Sequence, residues 1–257
     1  MLFQSIVYGP IHSRRLGISL GINLMPTDAK LCTFNCIYCE CGWNTNTDTP
    51  PHIPGRIEIA TELEQKLQQL KAEKTTPDVI TFSGNGEPTL HQDFYDIMCD
   101  TVKLRNTYCP SAKISVLSNS TQLFRPEVRK ALMLADNRIL KLDSAITDTM
   151  RKIDQPINHE LTVEKITDYL CLFKGKFTLQ TCFLKGQLQD GSPIDNTTEK
   201  EIEAWLNILT IIHPKDIMIY VIDRQTPLPT LQKISPDIME MIALKARHLG
   251  FKVIVSA

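Results

Sequence analysis

Cys32-Thr33-Phe34-Asn35-Cys36-Ile37-Tyr38-Cys39 places three thiols at C-x₃-C-x₂-C spacing directly behind an apolar run at residues 18–25. That run reads as a buried strand, so the thiols occupy the loop at its carboxyl end. Three thiolates on so short a loop can hold three corners of an iron–sulfur cubane, leaving the fourth iron without a protein ligand. A structural zinc ion is the competing occupant. It wants four protein ligands, usually as two separated pairs, and Cys41 or His52 would have to complete the set. A non-catalytic zinc- or iron–sulfur-binding scaffold is therefore the alternative from another functional class.

Outward from this loop, strand character returns at residues 79–83, 113–118, 138–143, 177–184, 216–222 and 252–255, with helical patterns between them. Thr61 and Glu64 read as a capping box before the stripe Ile59, Leu63, Leu67 and Leu70. Thr198 and Glu201 repeat the device before Ile202, Leu206 and Leu209, and Ser235-Pro236 opens a last helix that stops at Gly250. Such alternation along the whole chain predicts a parallel sheet with helical crossovers. Six or seven units of this kind can curl into an open or closed barrel, with chemistry at the carboxyl ends of the strands.

The 257 residues carry 28 basic and 29 acidic side chains, a net charge of −1, and 42% hydrophobic residues. A sizeable core is within reach, and collagen-like, disordered and disulfide-scaffold classes are excluded. Near-neutrality removes the simplest argument for a nucleic-acid or membrane partner. No secretory signal or membrane-length apolar run is visible, so the expected setting is cytoplasmic. In that compartment clustered cysteines favour metal or redox chemistry over disulfides. Of the eight cysteines, Cys99, Cys109, Cys171 and Cys182 are scattered and read as buried free thiols.

The loop C-x₃-C-x-aromatic-C after the first strand resembles the signature of the radical S-adenosylmethionine (SAM) superfamily. The resemblance implies a parallel-stranded partial (β/α)6 barrel in one domain, residues 1–257. It also implies a [4Fe–4S] cluster on Cys32, Cys36 and Cys39, with the open iron chelated by SAM. An external donor, reduced flavodoxin or ferredoxin, would supply the electron that cleaves SAM to a 5′-deoxyadenosyl radical, which abstracts hydrogen from substrate. Tyr38 takes the family's aromatic position near the SAM adenine. The run Thr81-Phe-Ser-Gly84-Asn-Gly86-Glu87-Pro88-Thr89 resembles the GGEP motif, with Asn85 at a position where many members carry glycine. Gly84 and Gly86 would let the backbone approach the methionyl moiety, and Glu87 would accept from its ammonium.

Asn119 and Asp143 fall where the family places polar SAM contacts, although each also reads as a helix cap, Asn119 or Ser120 before Pro126 and Asp143 or Ser144 before the next turn. Lys141 either faces the interior with a partner or is a solvated strand lysine. Gln180 and Arg224 are substrate-contact candidates at later strand ends, and Asp223-Arg224 also reads as a surface pair. Arg14 and Arg15, beside His12 and Ser13, could bind an anionic substrate near the cluster or form a basic turn. They sit in an N-terminal extension, residues 1–17, expected to pack near the cysteine loop.

GP-x-HSRRLG-x-SLG, the cysteine loop, FSGNGEPTLH and the late IDRQTP segment together resemble the wyosine-synthase-like iron–sulfur oxidoreductases within the superfamily. Wyosine enzymes modify a guanosine in tRNA, which makes a modified nucleoside the implied substrate. The archaeal ones carry cysteines upstream for a second cluster, and no cysteine precedes Cys32 here. No dense basic stripe with stacking aromatics accompanies the motif either. A glycyl-radical-enzyme activase acting on a protein partner is the other reading within the superfamily. No residue stands out as the catalytic acid, base or nucleophile.

Overall fold

The computed structural model describes residues 1–13, 16–45 and 51–256. Arg14 and Arg15 lie outside the described residues. The chain divides into two compact units, the first comprising residues 1–32, 44–118 and 122–138.

In the first unit β1 (Val7–Ser13) pairs antiparallel with β2 (Gly17–Ile22), and β3 (Val79–Phe82) and β4 (Lys113–Ser118) continue the sheet in parallel. β3 is buried at every position, as a strand covered on both faces must be. α2 (Phe94–Tyr108) packs against it and against α1 (Arg56–Ala72), and α3 (Pro126–Met133) follows β4. Ile59, Leu63, Leu67 and Leu70 form the buried stripe of α1, as the spacing predicts. Phe94 of α2 meets Phe82 edge-on at 6.1 Å between ring centroids.

The start of α1 differs from the expectation. Gly55 is its N-cap, and the Glu58 carboxylate accepts from the Gly55 amide at 3.1 Å. Thr61 is one turn inside, its hydroxyl donating to the Ile57 carbonyl at 2.8 Å, so it caps nothing. β1 was hidden by Gly9-Pro10, which reads as a turn; the strand tolerates the pair at an irregularity in its register between Tyr8 and Ile11.

The second unit comprises residues 33–43, 119–121 and 139–257. β5 (Asn137–Lys141), which belongs to it from Ile139, pairs parallel with β6 (Thr178–Gln187). β8 (Asp216–Val221) and β10 (Val253–Ser256) extend the parallel order. The far end of β6 turns antiparallel, pairing with β7 (Pro193–Asp195) and β9 (Gln232–Lys233).

The connecting helices are α4 (Thr147–Asp154), α5 (Val163–Cys171), α6 (Glu199–Ile212) and α7 (Pro236–His248). Thr198 caps α6 as expected, accepting from the Glu201 amide at 3.4 Å. Trp205, with Ile202 and Leu209, forms the buried stripe, while Leu206 is only half-buried. The Trp205 indole N–H donates to the Thr181 hydroxyl at 3.1 Å, which satisfies the one polar atom this large ring buries. Ser235-Pro236 opens α7, and Gly250 follows its end with φ +90.

Candidate functional site

The cysteine loop begins in the first unit. Leu31 donates its amide to the Asn85 carbonyl at 2.9 Å, and its own carbonyl accepts from the Glu87 amide at 3.2 Å. Between those bonds, Gly86 lies flush against Leu31: a Cβ there would sit 1.7 Å from the Leu31 carbonyl oxygen. Gly84 is equally confined, a Cβ falling 2.3 Å from the Asn23 side-chain oxygen. The close approach these glycines permit is to the chain itself, Gly86 to Leu31 just before Cys32 and Gly84 to Asn23. Asn44 then clamps the Cys32 backbone, accepting from its amide at 3.1 Å and donating to its carbonyl at 3.0 Å.

Asn85 is buried and acts as a knot. Its backbone amide donates to Asn23 Oδ1 at 3.0 Å, and its side-chain Nδ2 donates to the Phe3 and Pro26 carbonyls at 2.8 Å each. This gives a physical reason for Asn at a position where glycine was the expectation. Glu87 is also buried, its Oε1 accepting from Ser118 Oγ at 2.9 Å, from the Thr89 amide at 3.1 Å and from the Thr89 hydroxyl.

Cys36 and Cys39 belong to the second unit, where the loop lies along the end of α4. The terminal carbonyls of that helix, Ile153 and Asp154, accept from the Ile37 and Asn35 amides at 2.9 and 2.8 Å. Carbonyls left over by the helix thereby hold the loop on either side of Cys36. Cys39 turns back through its amide to the Cys36 carbonyl at 3.1 Å.

Beside Cys36 is a buried charged network. Lys141, at the end of β5, donates to Cys36 Sγ at 3.1 Å, to Asp143 Oδ2 at 3.1 Å and to the Asp154 carboxylate. Lys141 is therefore the interior lysine with partners, not the solvated one. Asp143 takes three further donors: the Tyr38 hydroxyl, the Cys182 amide at 2.8 Å on Oδ1 and Asn196 Nδ2 at 2.8 Å on its carbonyl. The Tyr220 hydroxyl donates to that of Tyr38 at 3.4 Å. Burial, then the Asp143 charge, holds the Tyr38 phenol well above its ordinary range, and burial likewise raises the Tyr220 phenol and the Cys182 thiol. Burial opposes the Lys141 charge most, yet Asp143 and Asp154 together keep its ammonium more firmly protonated than usual. Burial pushes Asp154 up to about 7 against the pull of Lys141.

Asn119 donates to Thr33 Oγ1 at 2.8 Å and accepts from the Thr121 amide and hydroxyl at 3.1 and 2.8 Å. Neither it nor Ser120 caps α3, whose cap is Arg125, and Ile146 rather than Asp143 or Ser144 caps α4. Gln180 is buried, and its carbonyl accepts from Leu142 at 3.0 Å. Arg224 is exposed and pairs with Glu40 at 2.7 Å, not with Asp223, which faces Lys233 at 3.5 Å. Asp154 and Asn196 were not foreseen; nothing in the local run marks Asp154 as the partner of Lys141 or Asn196 as the partner of the Asp143 and Cys182 carbonyls.

None of the eight cysteines is in a disulfide; Cys36, Cys109 and Cys182 are buried, and the rest, including Cys41 and the Cys99 and Cys171 expected to be buried, are half-buried. Among the described residues no group of three or more His, Cys, Asp and Glu side chains forms a single-ion site. His52 faces Glu58 at 3.2 Å. The donor set fits a cluster: the thiols are unbridged, the loop backbone is fixed, and an ammonium against Cys36 Sγ suits a thiolate ligand.

Comparison with known proteins extends this. The family model described as the Radical SAM superfamily matches residues 29–177. A protein named GTPase Obg from Brachyspira hyodysenteriae is 31% identical over 239 residues, covering 91% of this chain but only 32% of that protein. This chain has no GKS or GKT tripeptide, so the phosphate-loop lysine of GTP-binding proteins has no counterpart in it. A UPF0026 protein from Synechocystis sp. is 34% identical over 228 residues, covering 86% of this chain and 77% of that one. In three dimensions the chain is similar to a radical SAM methyltransferase from Sphaerobacter thermophilus, with TM-score 0.64, 13% identity and coverage of 92% and 65%. It is also similar to TYW1 with a lysine-pyruvate adduct bound, with TM-score 0.59, 13% identity and coverage of 90% and 73%.

Proposed function

The chain belongs to the radical SAM superfamily and groups with the UPF0026 proteins; from that premise we propose that Cys32, Cys36 and Cys39 hold its cluster and that it abstracts hydrogen from an organic substrate. It is a radical SAM enzyme with the α/β, mostly parallel partial-barrel fold of that superfamily, and its cofactors are a [4Fe–4S] cluster and SAM. Bound together, these supply one-electron cleavage of SAM to a hydrogen-abstracting radical. We read residues 1–257 as one radical SAM domain with residues 1–17 as its extension.

The observation that carries the ligand assignment is the loop itself, fixed by Gly86, Asn44 and the end of α4, with a lysine ammonium on Cys36 Sγ. In this reading Gly84, Gly86 and Glu87 would form a wall for the amino-acid end of SAM, and Asn119 is a further proposed SAM contact. Tyr38 and Asp143 support the loop through each other, their polar atoms already engaged within the protein. Reduced flavodoxin or ferredoxin is the electron donor of the proposal. A cytoplasmic setting suits eight reduced thiols, and no described helix is long and apolar enough to cross a membrane.

A modified nucleoside remains the proposed substrate class, on the strength of the wyosine-type motifs. The TYW1 structure holds a lysine-pyruvate adduct. Lys141 does not suit such a bond, because its nitrogen is committed as an ammonium to two carboxylates.

Anaerobic reconstitution tests the assignment. The chain is expected to take up about four iron and four sulfide and to cleave SAM under a reductant, and Cys36→Ala to lose both. One tightly held zinc without cleavage, or cleavage persisting in Cys36→Ala, overturns it.

A further inference from the structure

An ammonium has three N–H bonds to place, and Lys141 directs its own to two carboxylates and one sulfur. The rings of Phe34 and Tyr38 lie 4.8 and 5.2 Å from Nζ and close the remaining space. Burying a lysine demands compensation of its charge, and Asp154 and Asp143 already provide that. The contact with Cys36 Sγ is additional, and a lysine neutralised by carboxylates alone would not need it.

From this arrangement we infer that Lys141 is a positioning residue that raises the reduction potential of the cluster by donating a charged hydrogen bond to Cys36 Sγ. The inference rests on Cys36 being a cluster ligand. One electron, taken from a reduced mediator or donor protein, converts the cluster from its 2+ to its 1+ state and increases the negative charge shared with the ligand sulfurs. A cationic donor at 3.1 Å binds the more negative sulfur more strongly, so it favours the reduced form. The groups around it pull both ways. Asp154 lies within hydrogen-bonding reach of Cys36, and Asp143, Tyr38, Tyr220 and Cys182 complete the surroundings. The carboxylates are ion-paired with the same ammonium, which itself presents a positive charge to the sulfur.

A potentiometric titration of the anaerobically reconstituted full chain, with mediator dyes and the EPR signal of the reduced cluster as readout, tests this. Lys141→Met removes the donor. The double variant Lys141→Met with Asp154→Asn removes it without leaving that carboxylate unpaired, in case the single variant does not fold. Lys141→Met, at wild-type iron content, is expected to show a reduction equilibrium constant about tenfold smaller, or about 59 mV more negative for one electron, and the double variant a smaller shift in the same direction, because a carboxylate leaves with the ammonium. Lys141→Arg should restore most of the shift. An unchanged potential in an iron-loaded variant lacking the ammonium overturns the inference while leaving the ligand assignment intact. Undiminished iron and an unaltered EPR signal in Cys36→Ala would overturn the ligand assignment instead.

Discussion

Glu87 and Asp143 are both buried acids just beyond the carboxyl end of a parallel strand, and the chain satisfies them by different means. Glu87 draws on hydroxyls and an amide, from Ser118 and Thr89, inside a segment shaped by two confined glycines. Asp143 draws on a lysine ammonium, a phenol and an amide, in a network that continues to Asp154 and Cys36. One place is built by shape and the other by charge. The first holds the chain before Cys32 in position, and the second sets the electrostatics of Cys36. Shape errors should therefore disturb assembly, while charge errors should disturb stability and potential.

The largest effect is expected on the charged side. Lys141→Ala leaves buried carboxylates without their cation and should destabilise the cluster-free chain by about 3–5 kcal/mol. Glu87→Gln, which mismatches neutral hydrogen bonds without stranding a charge, should cost about 1–3 kcal/mol. Urea denaturation of both variants under one buffer measures the difference. Equal losses would mean that the two acids are held alike and would break the comparison.

Gly86→Ala comes next and probes shape alone. With a Cβ 1.7 Å from the Leu31 carbonyl oxygen, backbone must shift on one side or the other. Overpacking of this kind costs about 1–3 kcal/mol. Because Leu31 adjoins Cys32, iron uptake on reconstitution should fall further than the stability loss alone explains. Full uptake by a folded Gly86→Ala chain would show that the wall does not position the loop.

These two places also differ in how far they could be read from the residues. The Gly84–Glu87 segment and the cysteines are linear motifs, so spacing and their position after a strand suffice to find them. The apolar stripe of α1 was legible for the same reason, since Ile59, Leu63, Leu67 and Leu70 repeat at helical intervals. Its start was not, because Gly55 offers no side-chain signal and Thr61 with Glu64 imitates a cap. β1 was masked by its Gly9-Pro10 pair, and β7 and β9, of 3 and 2 residues, are too short for any period to show. The charged network is the opposite of a motif. Lys141 meets Asp154, and Asn196 meets the Asp143 carbonyl, only once the elements that carry them have packed together, and such packing leaves no local trace. That Tyr38 reaches Asp143 across 105 positions of sequence is knowable only from the fold.

The smallest effect is expected at Arg224, a substrate-contact candidate by its place after β8. Its guanidinium meets Glu40 at 2.7 Å, but the two side chains remain 70% and 46% exposed. Water and salt screen such a pair, so Arg224→Ala should change stability by less than about 1 kcal/mol, and by less still at high ionic strength. Glu40 nevertheless follows Cys39 directly, so the pair joins the segment after β8 to the cysteine loop. Iron uptake by the Arg224→Ala chain separates a solvated pair from a tether: undiminished uptake is expected. A marked loss would move Arg224 from the surface to the group of residues that hold the loop, beside Asn44 and Gly86.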